Sequence, residues 1–90
     1  MLTKYIGKFF INDREVFKVV TTDSYTTTFL ICPLHPSFSS SNYRFAEEVL
    51  DTFIYPSKES LDEIKKAREI TKEEFEERVF NFVKELLNMF

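Results

Sequence analysis

Cys32 and His35 stand three positions apart between Pro33 and Pro36, a spacing that suits two ligands of one zinc ion or a thiol beside its base. A structural zinc needs four ligands, and the chain holds no other cysteine or histidine. Only a symmetric dimer sharing the pair across its axis would complete a Cys₂His₂ set. A nucleophilic dyad would need an exposed thiol next to a positioned imidazole. The plainer expectation is that Cys32 is a small buried residue at a strand end and that His35 is kept extended by the proline after it. No metal ligand and no catalytic residue is assigned from this pair.

The acids are numerous, notably Glu73, Glu74, Glu76 and Glu77. A run of acids at a helix start is a solvated face placed favourably against the helix dipole, and general acid/base work needs burial that nothing around them promises. Their functional reading is an acidic docking face for a basic partner. Gly7 is the single glycine. That excludes both a Walker-type phosphate loop and a dinucleotide fingerprint, which need several, so no cofactor is expected. Gly7 itself reads as a bulge or a close approach within a strand.

The bases fall into two groups. Lys58, Lys65, Lys66, Arg68 and Lys72 cluster together, but Asp62, Glu63 and Glu69 are interleaved with them, which reads as helix-stabilising pairs. Lys4, Lys8 and Lys18 lie among Tyr5, Phe9, Phe10 and Phe17, a mixture that would serve single-stranded nucleic acid as a stacking platform. No RNP-like motif accompanies them. Candidate nucleic-acid contacts are therefore Lys4, Lys8, Lys18, Lys65, Lys66 and Arg68. Residues 1–45 carry five Lys/Arg against three Asp/Glu, and residues 46–90 carry seven against twelve, so the second half is unsuited to lie along a phosphate backbone.

The elements that must position these residues are marked by composition and period. Lys4–Ile11, Glu15–Thr22 and Tyr25–Cys32 are rich in β-branched and aromatic residues, and Asn12–Arg14 and Asp23–Ser24 break them. Such short breaks allow only antiparallel pairing. Pro33 and Pro36 close the third run, and the serines of 37–41 form a loop. Phe45, Ala46, Val49, Leu50, Phe53 and Ile54 then share one half of a helical wheel up to Pro56. A second helix starts at Ser57 or Ser60, with a thin apolar stripe of Leu61, Ile64 and Ala67. Thr71 with Glu74 makes a capping box, with Ile70 set to staple against Phe75. The expected fold is α+β: a three-stranded antiparallel meander over about 4–32, then three helices over about 42–55, 58–69 and 72–89 packed on the sheet. Residues 1–90 make a single domain, a size at which the buried fraction is modest.

Eleven phenylalanines and four tyrosines in 90 residues exceed what that arrangement covers. Both faces of the first two strands are apolar, a pattern found where both faces are covered, and a thin-striped second helix has little to give. The remainder would meet a second copy. The interface is expected at Phe10, Val16, Val20, Leu87 and Phe90. The functional expectation is a non-enzymatic protein-binding or regulatory module, acting as a homodimer. Its size and lack of motifs suit a viral or mobile-element protein that inhibits a host protein. The alternative is a small nucleic-acid-binding regulator. Met1–Ile11 lacks the pattern of a signal peptide, no apolar run reaches membrane-span length, and one free thiol suits a reducing, cytoplasmic setting.

Overall fold

The computed structural model describes residues 2–35 and 51–88. A 3-10 turn, Leu2–Tyr5, leads into strand β1 (Phe9–Ile11), followed by β2 (Glu15–Thr22), β3 (Thr26–Pro33), β4 (Asp51–Pro56), helix α1 (Ser57–Lys66), β5 (Arg68–Ile70) and helix α2 (Lys72–Asn88). The five strands make one sheet in the order β4-β3-β2-β1-β5, with every neighbouring pair antiparallel.

Both expected turns are made by a side chain that imitates the backbone. The Asn12 Oδ1 accepts the amides of Arg14 and Glu15 at 2.8 and 2.9 Å. Asp23 Oδ1 accepts those of Tyr25 and Thr26, both at 2.8 Å. Because this acceptor is a carboxylate, the two amides hold the Asp23 carboxyl below the ordinary aspartate range, the Thr26 amide contributing most. Between Val19 and Thr21 the ladder shifts register; Val20 is the extra residue of a β-bulge and turns outward.

Among the described residues, the meander of three strands and three helices is corrected to five strands and two helices. Residues 51–55, expected as the end of the first helix, are strand β4, registered from Ile31↔Asp51 to Thr26↔Pro56. The rest of that helix, 42–50, and the loop over 36–41 lie outside the described residues. Arg68 and Glu69, expected at the end of the second helix, belong to β5, which pairs Ile70 with Phe9. The first strand is shorter than expected, because Gly7 turns the chain at φ +84° and its amide donates to the Val19 carbonyl at 2.8 Å. Gly7 is thus a turn residue before β1, and nothing lies within 4 Å of where a Cβ would stand.

Alternation sorts the sheet into two faces. Phe10, Phe17, Val19, Phe29 and Ile31 pack with Leu2 and with Ile64 of α1; Tyr5, Leu61 and Ala67 close over them. Val16, Cys32 and Ile70 pack with Phe75, Phe82 and Leu86 of α2, flanked by Phe9, Ile11, Leu34, Val79 and Val83. Two helices therefore serve both faces. The thin stripe of α1 is sufficient because the 3-10 turn supplies Leu2 and Tyr5 beside it. Helix α2 opens with half of the expected capping box: the Glu74 amide donates to Thr71 Oγ1 at 3.0 Å, while the Glu74 carboxylate accepts from Arg68 at 3.3 Å, and Ile70 and Phe75 share one core cluster. Neither Ser57 nor Ser60 caps α1: Pro56 holds that position, and the buried Ser60 hydroxyl donates back to the Pro56 carbonyl at 2.9 Å.

Candidate protein interface

On the α1 side of the sheet, aromatic rings touch in an unbroken row across four strands. Tyr5 meets Phe10 edge-on at 5.9 Å, Phe10 stacks on Phe17 at 5.4 Å, and Phe17 meets Phe29 edge-on at 5.4 Å. Phe29 then meets Tyr55 at 5.9 Å, and Tyr55 stacks on Phe53 at 6.2 Å. The row starts in the core and ends in solvent: Phe10, Phe17 and Phe29 are buried, whereas Phe53 and Tyr55 are each 42% exposed. Ile54, between them on the other face, is 69% exposed. These residues belong to β4, which has no strand on its outer side among the described residues.

The backbone of β4 can be sorted as well. The Ser57 amide donates to the Tyr25 carbonyl at 2.9 Å, making Tyr25 and Ser57 a bonded pair. Bonded and non-bonded pairs alternate in an antiparallel ladder. The register then sends the main-chain groups of Tyr55 and Phe53 inward to β3 and those of Ile54 and Thr52 outward.

Beside this edge, under α1, lies an open cleft of about 270 Å³. Phe17, Phe29, Ile31 and Tyr55 floor it, and Arg14, Glu15, Glu59 and Glu63 rim it; Arg14 pairs with Glu63 at 3.8 Å. Two hydroxyls lie in the lining, those of Tyr55 and Ser60, and Ser60 donates to the Pro56 carbonyl. The arrangement can receive an apolar side chain.

The residues expected at an interface separate. Phe10 and Val16 are buried, one in each core cluster, and have no surface to offer. Val20 on the bulge and Leu87 near the end of α2 are exposed, at 41% and 65%. Phe90 lies outside the described residues. Missed altogether were Phe53, Ile54 and Tyr55. Their signal was present in the run of aromatic and β-branched types from Thr52 to Tyr55, which favours strand over helix.

The basic residues do not converge. Lys18 is on the α2 side, its Nζ 5.6 Å from the centre of the Phe9 ring, while Lys65 and Lys66 are in the last turn of α1 on the opposite side. Lys4 sits over the Tyr5 ring at 5.1 Å. Lys8 pairs with Glu69 at 3.9 Å and Arg68 with Glu74 at 3.3 Å.

Cys32 is fully buried, and burial pushes its thiol up to about 11, so it is protonated near neutrality. His35 is exposed and its Nδ1 lies 3.2 Å from Glu85 Oε2 on α2. Among the described residues no three His, Cys, Asp or Glu side chains are grouped to hold a metal ion, and no helix is long and apolar enough to cross a membrane. The chain matches no protein-family model, and no curated protein or solved structure matches it.

Proposed function

We propose that this chain is a non-enzymatic protein-binding module that works through a protein interface and associates with a second copy of itself. The observation that carries the reading is the contiguous exposure of Phe53, Ile54 and Tyr55 on the sheet edge. Scattered single apolar residues are normal on any surface. Phe53 and Tyr55 on one face, continuous with the core through Phe29, and Ile54 on the other make both sides of this edge apolar and open to contact. The protonated, buried Cys32 and the committed hydroxyl of Ser60 support a non-catalytic role.

Light scattering across a concentration series tests it. A mass rising from 10.8 kDa toward twice that value is expected. A constant monomer mass up to millimolar concentration overturns the self-association and leaves only a different protein as partner.

A further inference from the structure

We infer that the second copy adds to the outer edge of β4, antiparallel, about a two-fold axis at Phe53, so that the two sheets continue as one. This rests on the self-association proposed above and specifies where and how it occurs. Strand addition needs a row of outward main-chain groups, and β4 offers those of Thr52 and Ile54. Natural edges are guarded by charge, by proline or by shortness. The opposite edge obeys this rule: β5 has three residues, two of them Arg68 and Glu69. In β4 the charge and the proline stand only at the ends, Asp51 and Pro56, and the four residues between them, Thr52–Tyr55, carry neither.

The same sequence decides the register. Residues facing each other across an antiparallel pair must lie on the same face of the sheet, so the axis falls on a residue, and the two that centre Thr52–Tyr55 on its copy are Phe53 and Ile54. With the axis at Ile54, Thr52 faces the partner's Pro56, which has no amide to donate and whose carbonyl already accepts the Ser60 hydroxyl. With the axis at Phe53, Thr52 faces the partner's Ile54 on both sides, and every outward amide and carbonyl of Thr52 and Ile54 is used. Phe53 then lies opposite the partner's Phe53 in a non-bonded pair, the closer kind. The aromatic row from Tyr5 to Phe53 runs on into the second subunit. A two-fold contact presents each copy with its own surface; the axis at Phe53 sets Asp51 opposite the partner's Tyr55, so the one charge of the strand meets no like charge across the pair.

The area sets the strength. A large apolar or aromatic side chain covers roughly 150–250 Å²; at the exposures of Phe53, Ile54 and Tyr55 the three contribute roughly 230–380 Å² per copy, or about 460–760 Å² over both. That is below the ~1,200 Å² total of a standard stable interface, so the dimer is reversible and dissociates on dilution.

Two variants test the mode. Ile54→Pro removes an outward amide while leaving the β3–β4 ladder intact, a position at which an edge strand tolerates proline; it should keep the native circular dichroism and lose the dimer by light scattering. Phe53→Cys, made with Cys32→Ala, should form a cross-subunit disulfide in oxidised glutathione, because facing Cβ atoms at a non-bonded pair lie within about 5 Å. Ile54→Cys in the same background should cross-link at least roughly fivefold more slowly, its Cβ standing diagonal to its copy. If wild type dimerises while Ile54→Pro still dimerises and Phe53→Cys stays unlinked, the edge is not the interface and self-association stands. Fast linking by Ile54→Cys alone overturns the register. A monomeric wild type overturns both readings. Should Ile54→Pro fail to fold, the cross-linking pair decides alone.

Discussion

The hydroxyl of Thr27 lies 3.0 Å from that of Ser57, and this contact ties the first residue of α1 to strand β3. Thr22 Oγ1 stands 2.7 Å from Thr27 Oγ1, and the Ser57 hydroxyl donates to the Asp23 carbonyl at 2.9 Å. Running from Thr22 through Thr27 and Ser57 to that carbonyl, the chain satisfies every hydroxyl, and Thr27 is fully buried. Thr27→Val keeps the volume and removes the central link. It should lower the urea midpoint by an amount equivalent to about 1–2 kcal/mol at unchanged slope.

The Asp23 turn gives a pH dependence with a definite sign. Its carboxyl is held below the ordinary range by the Thr26 and Tyr25 amides, so the folded state favours the charged form. The resulting stability is present above the unfolded-state value and is lost as pH falls through the lower, folded one. Asp23→Asn keeps an acceptor without the charge. Wild type should therefore exceed this variant in thermal midpoint at pH 7, and the gap should close below about pH 4.

Cys32 gives the opposite sign at the alkaline end. Its thiol is raised to about 11 by burial, above the ~8.5 of a free thiol. The unfolded chain ionises first, so stability is full below pH 8.5 and declines between there and about pH 11, where the folded thiol also titrates. Cys32→Ala should flatten that decline in urea titrations, although the cavity lowers its stability throughout. A maleimide should label native Cys32 far more slowly than the unfolded chain.

What could be read in advance follows the range of the interactions that decide each element. Asn12, Asp23 and Thr71 act on backbone groups within three residues of themselves, so the hairpin turns and the start of α2 were visible locally. Strand β4 was not, because Phe53 and Ile54 also continue the helical period of Phe45, Val49 and Leu50. What makes 51–56 a strand is its partner, β3, whose Phe29 and Thr27 face Phe53 and Tyr55 across the ladder. In the same way β5 exists only because β1 is beside it. The demand for two covered faces was legible from Val16 and Phe17 as neighbours; that α1 would cover one of them depended on Leu2 and Tyr5 folding back through Gly7.

Gly7 is accordingly a conformational requirement and not a packing one. Its φ of +84° lies in the left-handed region, and a Cβ there would touch nothing. Gly7→Ala should cost about 1 kcal/mol through strain alone, and Gly7→Asn less, since asparagine tolerates this conformation better. Equal losses for the two in urea unfolding would point to a steric origin instead.

The two functional readings respond to salt in opposite directions. Each copy carries a net charge of −3, while Thr52–Tyr55, the stretch of β4 between Asp51 and Pro56, is uncharged. Long-range repulsion between copies is screened beyond roughly 10 Å at 0.1 M salt, so self-association should strengthen, by roughly twofold to fivefold, between about 0.02 and 0.2 M. Binding of an oligonucleotide through Lys4, Lys8 and Lys18 or through Lys65, Lys66 and Arg68 would weaken over the same range, because its affinity comes from counterion release. Sedimentation velocity for the first and fluorescence anisotropy with a labelled single strand for the second separate them. An oligonucleotide affinity that falls steeply with salt, alongside a mass that never exceeds 10.8 kDa, would transfer the function to the lysines.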